Sequence, residues 1–335
     1  MLRPWIKIQI GKESFSYITD GEVSSSWKKF TDTARLVLPS KVKKDGKTIF
    51  IGQNNLFNKG DFTTISVGYY PNIEQIFEGY LTKITPKDVT EMEFEDPSWI
   101  LKQTNLTISF KNISLEDLLT KCLEESIKKA SPEIKAGLQK VKIKTIGANF
   151  PAFRLTNVNI IQVLDELKKT YSLTSFFRNQ TLYCGLAYNA DGKKHTFEFQ
   201  KNILDGDQLE YKKEDDVKIK VKVISMLATN KKIEVETGDY EGEQRSIFVY
   251  NISDKAELKN IGDREIKKLK YEGFFGTFDT FIEPIVKHGD EIEIIDPKHP
   301  ERNGIYYAEA VNPYFGVGGY FQTITLGAKI SVSNG

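Results

Sequence analysis

Three glutamates spaced two apart, Glu91, Glu93 and Glu95, are the residues of this sequence that most resemble catalytic machinery. On a β-strand, alternate residues share a face about 6 to 7 Å apart, close to the spacing of the paired carboxylates that cleave glycosidic bonds. Met92 and Phe94 supply the opposite, apolar face, however, and a half-solvated strand produces such a row without any catalysis. No cleft signal or acid-raising environment accompanies the row, so the structural reading is favoured over a wall-degrading hydrolase. A second row, Lys218, Lys220 and Lys222, alternates with Val217, Ile219, Val221 and Val223 and could follow the backbone of a single-stranded nucleic acid. Glu234 and Glu236 alternate with Ile233 and Val235 just downstream. A hairpin would turn the two rows into cross-strand ion pairs worth about 0.2 to 1 kcal/mol each, which is the favoured reading.

The remaining reactive residues form no constellation. His195, His288 and His299 are scattered, with no carboxylate or cysteine at a recognisable ligand or base spacing. Cys122 and Cys184 lie in apolar surroundings and read as buried, reduced thiols. Phosphate-loop, dinucleotide, nucleophile-elbow and paired-cysteine patterns do not occur, so no cofactor, metal or catalytic residue is expected. The glycine-rich stretch from Phe315 to Tyr320 lacks a strand-to-helix context and reads as a turn between strands. Between Lys28 and Lys47 there are seven Lys or Arg against two Asp, a local charge of +5. Lys41, Lys43, Lys44 and Lys47 read by default as a solvated loop; the Phe50 and Phe57 that follow make a partner-facing arm the alternative, because such aromatics on an exposed loop otherwise invite aggregation. The aromatic turn at Phe315 and Tyr320 is the second candidate contact.

The elements that must carry these residues are mostly strands. The 335 residues suggest two or three domains, and 21 Phe with 15 Tyr exclude a disordered chain. With 47 basic against 46 acidic residues, no overall field grips nucleic acid or an anionic membrane. The N-terminus alternates instead of forming a signal core, and no run reaches the ~18 apolar residues of a membrane span. Short strands are predicted at Trp5–Ile10, Thr33–Leu38, Phe62–Tyr69, Ile76–Ile84 and Thr90–Glu95, with a long loop over residues 39–59. The period then changes. Ser114 with Asp117 caps a helix with Leu115, Leu118, Leu119 and Cys122 on one stripe, and Asn159 with Gln162 caps a second. β-signals return from Thr196, interrupted by one helix that Ser253 caps.

A weak internal repeat links the two β-regions. Gly60-Asp61 opens a strand, and Gly79-Tyr80 opens another ending at Pro86; Gly289-Asp290 and Gly304-Ile305 do the same up to Pro313. The fold class is therefore α+β, mainly β: two related small β-barrel modules with an inserted α+β domain. The expected divisions are 1–103, 104–195 and 196–335.

Several short stretches carry a resemblance. Thr33 to Pro39 (TARLVLP), Gly60-Asp61, Phe77-Glu78-Gly79-Tyr80, Phe94-Glu95-Asp96 with Trp99, Ser114 to Leu119 (SLEDLL) and Tyr320 to Gly327 (YFQTITLG), in that order, resemble the tail baseplate hub family of contractile-tailed phages. That family includes late control protein D and the N-terminal half of type VI secretion spike proteins. The resemblance implies a homotrimer that joins a sixfold tail tube protein to a threefold spike protein among other baseplate subunits. It implies a virion tail component, assembled in the bacterial host cytoplasm, with DNA only as passing cargo and no stable membrane association. The sequence ends at Gly335, soon after the last predicted strand, so the spike is expected to be a separate protein.

Overall fold

The computed structural model describes residues 3–44, 47–51, 56–171, 173–185, 192–227, 231–250 and 252–330. The first stretch holds β1 (Arg3–Ile10), β2 (Glu13–Phe15), β3 (Asp20–Ser26), β4 (Thr33–Pro39), β5 (Lys41–Lys44), β6 (Lys47–Phe50), β7 (Phe62–Tyr70), β8 (Asn72–Pro86) and β9 (Val89–Glu95). Next come α1 (Ser98–Leu101), β10 (Leu106–Ser114), α2 (Leu115–Lys129), α3 (Pro132–Leu138), β11 (Lys142–Thr145), β12 (Asn149–Val158), α4 (Ile160–Tyr171), β13 (Thr174–Arg178) and β14 (Thr181–Gly185). The last stretch holds β15 (Lys194–Glu198), β16 (Leu209–Lys212), β17 (Ile219–Met226), β18 (Lys232–Gly238), β19 (Glu243–Tyr250), α5 (Lys255–Leu269), β20 (Gly273–Phe281), β21 (Glu291–Ile295), β22 (Gly304–Gly316) and β23 (Gly319–Lys329).

Local chemistry accounts for the helix starts. Ser114 Oγ accepts the Asp117 amide at 3.0 Å, and Asn159 and Gln162 cap each other's amides at 2.9 and 3.0 Å, each satisfying donors that a helix start leaves unpaired. At α5 the cap is Asp254, whose Oδ1 accepts the Ala256 amide at 2.9 Å; Ser253 stands one residue too early. Part of the expected loop over 39–59 is the β5–β6 hairpin, and β3, β10 and α3 were not legible from periodicity.

The internal repeat is real and extends to individual hydrogen bonds. Gly60 N–H donates to Leu81 O and Leu81 N–H donates to Asp61 O, at 2.8 and 3.0 Å; Gly289 donates to Ala308 O and Ala308 to Asp290 O, at 2.7 and 2.8 Å. In both copies the Asp carboxylate also accepts the amide three residues earlier, from Asn58 at 2.8 Å and from Lys287 at 2.9 Å. Both glycines have positive φ, +95° and +87°, which only glycine adopts cheaply. A register shift falls between Leu81 and Lys83 against β9, and a matching one between Ala308 and Ala310 against β23.

Strand order repeats as well. The first module runs β1-β7-β8-β9-β4-β3 and the second β15-β21-β22-β23-β20-β16, so each places its six strands in the order first, fourth, fifth, sixth, third, second. The first strand pairs antiparallel in one copy and parallel in the other. β3 pairs with β22, which fuses the modules into one 13-stranded sheet. Neither module closes: no pairing joins its first and second strands among the described residues, so these are open sheets where barrels were expected.

The apolar side chains segregate into four clusters. Ile8, Ile10, Leu36, Ile65, Met92 and Phe94 centre the first module, and Phe197, Phe278, Ile292, Tyr306 and Ile324 the second. A third cluster unites Trp99 and Leu101 with α2, α4 and the β11-β14-β13 sheet. The fourth packs α5 on the separate β18-β17-β19 sheet through Val221, Val223 and Leu258.

Candidate functional site

The face of the large sheet turned away from these clusters is concave where the modules meet. It forms a groove of about 700 Å³ lined by Glu22, Arg35, Thr82, Glu93, Asn312 and Tyr314, among others, from both modules. The glutamate row lies on this face, and every member has a basic partner. Arg35 reaches Glu91 at 3.1 Å and Asp20 at 3.4 Å, Lys83 reaches Glu93 at 2.9 Å, and Lys102 reaches Glu95 at 2.5 Å. The Arg35 hydrogen bond, with Lys87 nearby, holds the Glu91 carboxyl below its ordinary value. A general acid needs the reverse shift.

On the second-module half of the face the charges give way to rings. Phe281 faces Phe321 across β20–β23, and Phe321 faces Tyr314 across β23–β22. The rings stack with centroids 5.8 and 5.4 Å apart, and Phe281 and Tyr314 are exposed. The row continues across the module joint as Glu22, Arg35, Glu93 and Lys83. The second-module side of this face thus carries a row of three rings and the first-module side an array of paired charges.

The expected contact residues divide. Lys41 and Phe50 pair across the β5–β6 hairpin, both exposed, with Lys41 Nζ 5.3 Å from the Phe50 ring centre. Lys43, Lys44 and Lys47 lie on the same hairpin, and their side chains fall outside the described residues. Phe57 is not on the surface: it is buried, 6.3 Å edge-on from Phe15. Phe315 and Tyr320 are 1% and 8% exposed and pack into the first module's core. Strand alternation turns their neighbours Tyr314 and Phe321 outward instead, and Val317 at the tip is 73% exposed. The lysine row meets the glutamates diagonally across the β17–β18 hairpin, Lys220 to Glu236 and Lys222 to Glu234, both at 2.6 Å.

A buried polar joint went unseen in the sequence. Asp32, on the β3–β4 turn, and Asp96, just before α1, are linked by the Asp32 amide to Asp96 Oδ2 at 3.2 Å and the Asp96 amide to Asp32 O at 2.9 Å. Ser25 Oγ donates to Asp32 at 2.5 Å and the Ser98 amide to Asp96 at 2.9 Å. Burial, and then the charge of Asp32, push the Asp96 carboxyl up to about 8; burial pushes Asp32 up to about 6. Both line a cavity of about 80 Å³ together with Arg178 of the β13–β14 hairpin and His288 of the second module. Arg178 donates to His288 O at 2.5 Å, and burial, with Arg178 adding to it, drives the His288 imidazole down to about 3. His195 does have a carboxylate partner, Asp290 at 3.1 Å, brought from 95 residues away. Among the described residues no group of His, Cys, Asp and Glu could hold a metal ion, and both cysteines are free and buried.

No protein-family model matches this chain, and no curated protein does. Solved structures do. The 43 kDa tail protein of prophage MuSo2 from Shewanella oneidensis superposes with a TM-score of 0.62 at 13% identity, covering 96% of this chain and 97% of that one. A tail protein from Neisseria meningitidis gives 0.60 at 14% identity, covering 98% and 97%. The chain has the fold of phage tail proteins. A component of the Escherichia coli type VI secretion system shares this tail-protein fold with a TM-score of 0.57 at 9% identity, covering 98% of this chain and 77% of that one. The tail-protein fold thus accounts for both modules, the insertion and the layer that carries α5.

Proposed function

We propose that the chain is the structural hub of a phage or prophage tail baseplate, a homotrimer that adapts a sixfold tail tube to a threefold spike and lines the central channel. One observation carries this reading: two modules of identical strand order lie edge to edge in one sheet, with a groove where they meet. Three copies of a two-module chain present six similar surfaces to the tube and three identical ones to the spike. Symmetric rings need such repeated surfaces. The charge array on the concave face is internally neutralised, which suits a wall past which DNA or protein moves without being held. The hydrolase reading has no support in the geometry, since Glu91, Glu93 and Glu95 are all ion-paired. The oligonucleotide reading fares no better, because Lys220 and Lys222 are committed to glutamates. The likeness to phage tail proteins supports a location in the virion tail, and tube, spike and other baseplate subunits are the partners this reading calls for. No helix among the described residues is long and apolar enough to cross a membrane. The test is mass in solution by light scattering. Three chains of 38.2 kDa give about 115 kDa, and a species that remains at one chain's mass at every concentration counts against the trimer.

A further inference from the structure

The joint inside one chain specifies the joint between chains. β22 has β23 along one edge, so β21 and β3 must share the other: Gly304–Tyr307 pairs with β21, and Ala310–Gly316 pairs with β3. β8 is built the same way. β9 takes one edge, and β7 takes the other only as far as Tyr80. Beyond that point, no strand among the described residues covers the second half of this edge. β16, the counterpart of β3, has β20 on one side and, among the described residues, no strand on the other. The chain thus carries one filled copy of a strand joint and both unfilled halves of a second.

We propose that Leu209–Lys212 of one copy pairs antiparallel with Lys83–Pro86 of another, a pairing that rests on the trimeric reading above and supplies its contact. The internal joint sets the register. Across each module the core row Ile84, Met92, Leu36 corresponds to Val311, Ile324, Phe278. Val23, opposite Ala34, corresponds to Leu209, opposite Gly276. The internal pairs Ser26 with Ala310 and Ser25 with Val311 therefore translate into Lys212 with Lys83 and Tyr211 with Ile84. Glu210 then faces Thr85, and Leu209 faces Pro86.

Three features fit a waiting edge. Pro86 corresponds to Pro313, where the internal joint skips Asn312 and Pro313 and resumes in the same register at Tyr314, so a proline at this place interrupts the pairing without shifting it. Val311, covered by β3, is 1% exposed, whereas its counterpart Ile84 is only half-buried. The two lysines brought face to face each bring a carboxylate, Glu93 at 2.9 Å from Lys83 and Glu210 at 3.0 Å from Lys212. The contact is head to tail, joining module two of one chain to module one of the next. Such an interface closes into a ring when its rotation matches, here with three internal and three intermolecular joints.

Paired cysteines test this in the full chain. One variant carries Glu210→Cys with Thr85→Cys, and a second carries Tyr211→Cys with Ile84→Cys, because alternate antiparallel pairs differ in spacing and a disulfide accepts only the closer. Mild oxidation should give a covalent ladder that stops at three chains in at least one variant. Glu210→Cys with Lys12→Cys should give none. Cys122 and Cys184 are buried and supply no background. Trimers by light scattering without any ladder overturn the pairing and leave the trimer standing; monomers throughout overturn both; a ladder running past three overturns ring closure. Hydrogen exchange on the wild-type chain removes any dependence on variant folding. The amides of 83–85 and 209–212 should gain protection on going from dilute monomer to trimer, and unchanged exchange in an assembled trimer refutes the contact.

Discussion

Replacing Asp96 by Asn should reshape the pH dependence of stability. Burial and the neighbouring Asp32 hold the Asp96 carboxyl at about 8 in the fold, whereas an unfolded Asp titrates near 4. Between those values the native chain keeps a proton that the unfolded chain has released. Stability therefore falls as pH rises through this window, by about 1.4 kcal/mol per pH unit. His288 acts in the opposite sense below about 6.5, because it is held neutral in the fold at about 3 while an unfolded histidine takes up a proton. From pH 6.5 to 8 the acid acts alone, which amounts to a loss of about 2 kcal/mol. Asn cannot ionise. It also cannot accept both amides that Asp96 now accepts, from Ser98 and Asp32, so about 1 to 3 kcal/mol is lost at every pH. Urea unfolding at pH 6.5, 7.25 and 8 should show the variant less stable at pH 6.5, with the gap closing by about 2 kcal/mol at pH 8. Parallel curves would refute the account of the buried pair.

Glu93→Gln should leave the purified protein as inactive on peptidoglycan as the wild type and change stability by less than about 1 kcal/mol, the range of exposed ion pairs; a lytic wild type silenced by this change would revive the hydrolase. Lys222→Ala should cost under about 1 kcal/mol in urea unfolding, and filter binding at low salt should detect no oligonucleotide affinity for either form. Phe315→Ala should cost about 3 to 5 kcal/mol as a core truncation, while Val317→Ala at the exposed tip should stay within about 0.5 kcal/mol. Gly276→Ala should strip β16 from the sheet, since φ there is +111° and a Cβ would stand 1.9 Å from Gln208 O; hydrogen exchange should show 209–212 losing protection and light scattering a loss of trimer.

Much of the fold was legible where local pattern decides it. The alternation around Met92 and Phe94 and the capping pairs at Ser114 and Asn159 act over a few residues, and the structure repeats them directly. The Gly-Asp repeat was a faint trace of a strong fact. Its meaning lies in backbone hydrogen bonds between residues about 20 apart, which only the fold displays. The aromatic turn was misread because its glycines suggested exposure. Strand parity, carried through from the core positions, places Phe315 and Tyr320 inward and Tyr314 and Phe321 outward. The Asp32–Asp96 pair had no local signal, because its members are 64 residues apart and meet only when β4 lies beside β9. Closed barrels were expected from short, punctuated strands, but among the described residues the edges at β8 and β16 stay open.

End-on electron microscopy of the assembled protein should show a threefold ring with six lobes of β-density around an open centre, alternate lobes differing because the two modules differ. A ring of any other order, or particles of a single chain with no central opening, would contradict the trimeric reading.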